Sequence, residues 1–164
     1  MRNPSRRVAS LLAIFLVTAC AGHPHAPASD RLYRALGETP GITVIVDKFL
    51  YRLADDTRIA HFFGDTNIKR FRRLLIEQFC VESGGPCKYT GDSMQIAHAH
   101  MRLTDANFNA LVEDLVAGME DAHVPVGAQN GLLARLAPMY HDIMFSSQHP
   151  TYAGATAPGP AQSP

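Results

Sequence analysis

The sequence YTGDSMQIAHAHMRLTDANF, residues 89–108, decides how the rest of the chain is interpreted. Gly91 and Asp92 are typical of a turn, and Thr104 is typical of a residue that caps the start of a helix. Between them, small and apolar side chains recur at the spacing i, i+3, i+4 and i+7, which predicts a short helix with one apolar face. That face consists of Met94, Ala97, His98 and Met101.

The histidines of this stretch leave two interpretations open. An imidazole in apolar surroundings stays neutral, so it can offer a ring nitrogen to a metal, or it can be a buried histidine that is only hydrogen-bonded. His100 lies roughly 200° around the helix from His98 and fits a second stripe with Ile96 and Leu103. Periodicity therefore does not choose between the two histidines. Because residues two apart do not share a helix face, we do not expect a two-histidine metal clamp.

The composition predicts one globular domain without a nucleic-acid partner. The chain has 164 residues, of which 46% are hydrophobic and 18% are charged, as in a protein with a real core. Lysine and arginine together number 15, as do aspartate and glutamate. There is thus no basic excess of the kind that nucleic-acid binding requires.

Residues 1–19 predict a lipoprotein signal peptide. A basic segment precedes an apolar run from Val8 to Ala19 that is too short to span a bilayer well. The run ends in VTAC, residues 17–20, which resembles a bacterial lipobox, where cleavage before the cysteine exposes it for lipidation. An ordinary secretory signal with a chance cysteine is the alternative. We therefore expect lipid on Cys20, a tether over residues 20–29, and a place in the cell envelope, on the periplasmic side in a Gram-negative host.

The rest of the chain predicts helices and no strand. Apolar residues at helical spacing indicate helices at 31–36, 41–54 and 68–82, a single turn at 58–63, and a helix that begins at Thr104. Pro138 lies inside a last helix and should kink it. We expect the folded domain to span residues 30–146. Residues 147–164 are rich in Pro, Ala, Gly and Ser and are predicted to be a disordered tail.

Short motifs along this domain, taken together with their order and spacing, resemble the truncated haemoglobins, most closely group I. The motifs are Leu32-Tyr33-x-x-Leu36-Gly37, Phe62-Phe63, Gly84-Gly85-Pro86, Tyr89-x-Gly91, Met94-x-x-Ala97-His98 and Thr104-x-x-x-Phe108. The resemblance covers about residues 31 to 143. It implies an all-α truncated globin, a two-over-two helical sandwich around one non-covalent haem b, with His98 as the proximal iron ligand.

The resemblance also implies which residues surround the haem. Those expected to contact it are His98, Phe49, Phe63, Phe71, Leu75, Phe79, Tyr89, Met94, Met101, Phe108 and Val112. On the distal side, Leu50 lies where group I proteins usually have a tyrosine, and Tyr51 is about 100° further around the helix. Leu74 and Gln78 complete the distal pocket, in which Gln78 is the only polar side chain.

Three other features bear on this interpretation. The family usually has Gly-Gly after the first helix, whereas this chain has Gly37-Glu38, so the tightness of that turn is left open. The basic residues between Lys69 and Arg73 are predicted to be a solvated face, one or two of which could hold anionic groups of the cofactor. Export would place Cys80 and Cys87 in an oxidising compartment, where they either pair or stay buried as free thiols. No C-x-x-C-H motif is present for covalent haem attachment.

The function implied by the resemblance is reversible binding of oxygen or another diatomic gas at the envelope. One alternative is a haem enzyme, either a nitric oxide dioxygenase or a peroxidase-like enzyme, although no separate catalytic constellation is visible. Another is an envelope shuttle for haem or metal. We expect the partners to be the gas, an unknown reductase and the membrane to which the lipid anchors the chain.

Overall fold

The computed structural model describes residues 30–149, and in this range it consists of helices without a strand. The helices are α1 (Arg31–Ala35), α2 (Glu38–Asp55), α3 (Ile68–Glu82), α4 (Met94–His98), α5 (Asp105–Asp121), α6 (Val126–Leu136) and α7 (Met139–Gln148), with a short 3-10 helix at Ala60–Phe63. The predicted all-α class is confirmed. The predicted signal peptide and tether and the tail beyond His149 lie outside the described residues.

Side-chain caps fix the start of three helices. The Asn67 side chain accepts a hydrogen bond from the Arg70 amide and starts α3, and Ser93 does the same for α4. Thr104 and Asn107 form a reciprocal capping box at the start of α5. Each such cap typically stabilises a helix by about 1 kcal/mol. Because this signal is local, α3 begins and ends where the sequence predicted.

Pro138 separates two helices instead of kinking one. The helix α6 ends at Leu136 and α7 begins at Met139, because a proline ring lacks the amide proton that would continue the first helix. The helix α7 then continues to Gln148, two residues past the predicted end of the domain. Asp30 does not cap α1 with its side chain and instead forms an ion pair with Arg34 at 3.0 Å.

The turn between α1 and α2 is tight despite its glutamate. Gly37 and Glu38 both have left-handed φ angles, 82° and 57°. A Cβ at Gly41 would lie 2.1 Å from the Leu36 carbonyl oxygen, so the two helices meet closely there. The helix α2 starts at Glu38 and not at the predicted residue 41, because Pro40 falls in its first turn, where a missing amide proton costs nothing. Glu38 thus takes a conformation that usually needs glycine.

The main core lies around α2, which packs against α3 and α5. At the crossing with α5, a Cβ on Gly118 would come within 2.7 Å of the Phe49 backbone nitrogen, so the glycine permits the close approach. We define the main core by its buried residues: Leu36, Ile42, Ile45, Val46, Phe49, Leu53, Ile59, Leu75, Phe79, Cys80, Ala110, Leu115, Met119, Ala128 and Leu132.

The helices α4 and α7 pack against each other outside the main core. The Arg102 amide donates a hydrogen bond to the Ser147 carbonyl at 3.1 Å and joins the chain after α4 to the end of α7. Leu74, Leu103 and Met144 are also buried but do not belong to the main core. Among the described helices, none is long and apolar enough to cross a membrane.

Candidate functional site

His98 is the last residue of α4 and is half-buried. Its Nδ1 lies 2.8 Å from the carbonyl oxygen of Met94, one helical turn earlier. Because a carbonyl only accepts hydrogen bonds, Nδ1 carries the proton and Nε2 keeps a free lone pair. Burial lowers the pKa of His98 below its ordinary value, although the bond to Met94 acts in the opposite direction. The ring is therefore a neutral imidazole with one nitrogen available as a metal ligand.

The structure distinguishes the two histidines that periodicity could not. His100 follows the end of α4 and is exposed, with a left-handed φ of 70°. The second stripe expected from the sequence does not form a common face, since Ile96 is 53% exposed while Leu103 is buried. Only His98 combines partial burial with a fixed ring orientation.

The predicted contact residues fall into two groups. Phe49, Leu75 and Phe79 are buried in the main core, and Leu50, Phe63 and Phe71 pack against it, with the rings of Phe63 and Phe71 stacked at 5.4 Å. The others are half-buried and lie outside the main core. They are Tyr89, Met94, Met101, Phe108 and Val112. These apolar side chains, which the core leaves partly uncovered, are available to a flat apolar cofactor.

The distal residues offer few hydrogen-bond donors. Leu50 is half-buried and Leu74 is buried, and neither side chain can donate. Tyr51 is 74% exposed, so its hydroxyl points into solvent and the second-helix register places Leu50 on the inner side. The Gln78 amide nitrogen lies 3.2 Å from the sulfur of Met139 and 3.6 Å from that of Met94. Both N–H groups of the Gln78 amide therefore point toward methionine sulfur atoms.

The basic residues of α3 mostly face carboxylates. Arg72 donates two hydrogen bonds to Asp47 on α2, at 2.5 and 2.9 Å, and holds the pKa of that carboxyl below its ordinary value. Arg73 pairs with Glu77. These pairs agree with the predicted solvated face. Lys69 is exposed and has no ion-pair partner among residues 30–149, which leaves it available to an anionic group of a cofactor.

The segment between α3 and α4, residues 83–93, which we call the connecting loop, is attached to α3. A disulfide joins Cys80 to Cys87, with 5.9 Å between their Cα atoms. The Thr90 amide and hydroxyl donate to Glu77 at 2.9 and 2.7 Å. Tyr89 in this loop is half-buried, and burial raises the pKa of its hydroxyl. The loop therefore sets where α4 begins relative to α3.

Two residues of this region did not follow from the sequence. Met139 reaches Gln78, and the Tyr140 ring packs edge-on against Phe108 at 4.8 Å while its hydroxyl donates to Asp105. Both follow Pro138, so their orientation depends on the helical register that the break restarts. If Pro138 had been interpreted as the start of a new helix, the sequence would have indicated that Met139 and Tyr140 lie in its first turn.

The metal-binding groups of this region fit a metal ion whose other ligands come from a cofactor. In the part of the chain that the structure describes, no group of three or more His, Cys, Asp or Glu side chains could hold a metal ion. His98 supplies one neutral nitrogen from a half-buried ring, and the residues predicted to contact the cofactor are mostly apolar. A porphyrin supplies four equatorial nitrogens and a large apolar surface, so a single axial imidazole together with such residues suits haem.

Comparison with known proteins gives consistent matches. The model of the bacterial-like globin family matches residues 31–145. A group 1 truncated hemoglobin from Mycolicibacterium paratuberculosis is 30% identical over 117 residues, which cover 71% of this chain and 85% of that protein. One from Synechocystis is 36% identical over 98 residues, which cover 57% and 79%.

Solved structures resemble the whole helical domain. The truncated hemoglobin from Tetrahymena pyriformis in its Fe(III) form has a TM-score of 0.66 and 26% identity, over 69% of this chain and 97% of that one. A 2/2 hemoglobin from Synechococcus, solved with covalently attached heme, has the same TM-score and 24% identity, over 70% and 98%. At that identity the second likeness concerns the fold alone.

Proposed function

This chain belongs to the bacterial-like globin family as a group 1 truncated globin, and from that premise we propose that it binds one haem b and, at the iron, a diatomic gas such as oxygen. When bound, haem iron supplies an open coordination position for a small ligand. The observation that carries the proposal is His98, a half-buried neutral imidazole whose Nε2 is free. The half-buried apolar residues Phe108 and Val112 support it, because they would cover the porphyrin and exclude water.

His98 is the proposed proximal ligand, and its partner favours gas binding over a peroxidase-like reaction. The Met94 carbonyl fixes the tautomer and the ring orientation. A carboxylate in that place would raise the basicity of the imidazole, whereas an uncharged carbonyl does so much less. His98 is thus arranged to hold a ligand-binding haem and not to drive cleavage of an oxygen–oxygen bond.

The test is the absorption spectrum of the haem-reconstituted mature domain in its ferric, ferrous and carbon monoxide forms. His98→Ala should lose haem or give an altered spectrum that added imidazole partly restores, because the axial nitrogen is removed. His100→Ala is the matched control and should keep the wild-type spectra, since His100 is exposed. Loss of the spectra in the His100 variant alone would make His100 the ligand. A wild-type domain that takes up no haem would contradict the proposed function.

We also propose that the protein is held at the cell envelope by lipid on Cys20. The support is the sequence VTAC at the end of a short apolar run preceded by arginines. Both features lie outside the residues described by the structure. An anchored globin would need electrons to keep its iron ferrous, so an envelope reductase is the proposed protein partner.

A further inference from the structure

The connecting loop runs antiparallel to α3 and is attached to it at successive points. Residues later in the loop join residues earlier in the helix. The attachments are Cys87 to Cys80, Thr90 to Glu77, and Asp92 to Arg70. The loop ends at Ser93, which caps α4, so this series of attachments leads directly to the helix that carries His98.

The attachments differ in strength. Arg70 and Asp92 are 3.7 Å apart and both more than half exposed, so their ion pair contributes little. The hydrogen bonds of Thr90 to Glu77 lie at the surface, although the Glu77 side chain is only 19% exposed. The disulfide is the only covalent one of these three attachments and is therefore the strongest. It closes a short loop next to the Gly84 turn, where a Cβ on Gly85 would lie 2.6 Å from the Cys80 sulfur.

The main core does not hold α4 in place. No residue of Met94–His98 belongs to that core, and α4 packs on α7, which is equally outside it. The position of His98 relative to the distal helix α3 therefore depends on the connecting loop and on the contact with α7. Gln78, two residues before Cys80, adds only a weak amide–sulfur contact to Met94.

We propose that the Cys80–Cys87 disulfide is a redox-sensitive attachment that determines how long the protein retains haem. This inference rests on the proposed haem binding. In the oxidised protein the disulfide keeps α4 and His98 close to α3. In the reduced protein the end of the loop that leads to α4 is held to α3 by the surface hydrogen bonds of Thr90 and the exposed Arg70–Asp92 ion pair, so α4 and His98 move away from α3 more often and haem leaves faster.

The chemistry requires a dithiol partner, for example a thiol oxidoreductase of the envelope. One thiolate of the partner attacks the sulfur of Cys87, which is half-buried, whereas Cys80 is fully buried. The Cys80–Cys87 bond breaks, Cys80 leaves as a thiolate that takes up a proton, and a mixed disulfide remains on Cys87. The second thiol of the partner then displaces Cys87. The partner's dithiol is oxidised by two electrons, and the two cysteines are reduced.

The experiment measures haem transfer from the holoprotein to an excess of a haem-free globin acceptor. The samples are the oxidised wild type, the wild type reduced with a phosphine, and the variant Cys80→Ala/Cys87→Ala. The matched control is Leu132→Ala, which creates a cavity in the main core on α6, a helix to which no attachment of the connecting loop is made. We expect haem transfer to become about tenfold faster on reduction and in the double variant, the size that loss of a short-loop disulfide allows.

The control separates a local effect from general destabilisation. Leu132→Ala should lower the melting temperature at least as much and speed haem transfer far less. Equal transfer rates in the oxidised and reduced proteins, or equal acceleration in the control, would overturn the inference. If the double variant does not fold, the reduced wild type still decides it. A wild type that shows no haem absorption would overturn the proposed function itself.

Discussion

Leu50 is the residue at which this chain departs most from the group I pattern of distal residues. It is half-buried against the main core, and the nearest tyrosine, Tyr51, points into solvent. Oxygen draws negative charge when it binds iron, so it gains more than carbon monoxide from a nearby hydrogen-bond donor. A pocket of leucines gives no such bond, and we expect oxygen to leave quickly.

Leu50→Tyr should therefore slow oxygen release while carbon monoxide binding changes little. One added hydrogen bond is worth roughly 1–3 kcal/mol, or about 5- to 150-fold in rate. Stopped-flow oxygen dissociation measures this, with Tyr51→Phe as a control that should behave like the wild type. If Tyr51→Phe or Gln78→Leu speeds release by about tenfold, a donor already serves the wild-type pocket and the expectation is wrong.

Asp114 gives the chain a specific pH dependence. It is 8% exposed on α5, and its Oδ2 has no hydrogen-bond partner among the described residues. Burial is the largest of the causes that raise the pKa of this carboxyl. Repulsion by Asp56 and Glu113 raises the pKa further, and attraction by Arg58 and Arg52 lowers it. The folded protein thus holds this proton to higher pH than the unfolded chain. Stability is lost as pH rises from the ordinary value through the raised pKa.

Asp114→Asn should stabilise the protein at pH 7, because it removes an unpaired buried charge. We expect a gain of about 1 kcal/mol in the free energy of unfolding. The gain should shrink as the pH falls through the raised pKa and disappear near pH 3, below the ordinary pKa, where the wild-type carboxyl is largely protonated in both states. Urea titrations of the haem-free protein at the two pH values provide the measurement. A gain that persists undiminished at the acidic pH would mean that the charge is not the cause.

Among the helices, the crossing of α2 and α5 depends most on one small residue. Gly118→Ala would place a methyl group 2.7–2.8 Å from the backbone of Phe49, which cannot move without displacing α2. We expect a loss of about 1–3 kcal/mol in stability. Gly127→Ala on α6 meets nothing within 4 Å, so it should be neutral or stabilise by up to about 1 kcal/mol. Thermal unfolding of both variants compares them, and equal effects would rule out the packing argument.

The element boundaries show which signals a sequence carries. Thr104 and Asn67 cap helices through contacts three residues away, and such local chemistry was predicted. The left-handed backbone conformation of Glu38 was not predicted, because it is imposed only by the close contact of Gly41 with Leu36. The break at Pro138 was taken for a kink. For the site, the resemblance named His98 as the expected iron ligand, which stays a prediction, while the Gln78–Met139 contact depends on how α7 packs and could not be predicted.

At the scale of the whole molecule, the all-α fold was predictable because one apolar stripe per helix is enough to define it. The division into a main core and an outer α4–α7 pair was not predictable, since the apolar stripes of the helices do not differ in sequence in a way that shows how the helices pack. The resemblance to group I truncated haemoglobins predicted the order of the helices. It did not predict which helices bury their apolar faces completely.

The proposed lipid anchor would act on the whole chain. On the proposed anchor, Cys20→Ser should move the protein from the membrane fraction to the soluble envelope fraction, because the residue proposed to carry the lipid is lost. Cell fractionation with mass spectrometry of the N-terminus provides the measurement. A wild type that is already soluble with an unmodified N-terminus would show that the lipobox interpretation is wrong.

The separation of α4 and α7 from the main core has a consequence for biogenesis. A polypeptide that is exported before it folds can assemble α2, α3, α5 and α6 around their own side chains, because no residue of α4 or α7 completes that core. The outer α4–α7 pair can then pack beside this core in a second stage, when the cofactor binds. The export proposed for this chain and the loading of its cofactor would then be separate steps.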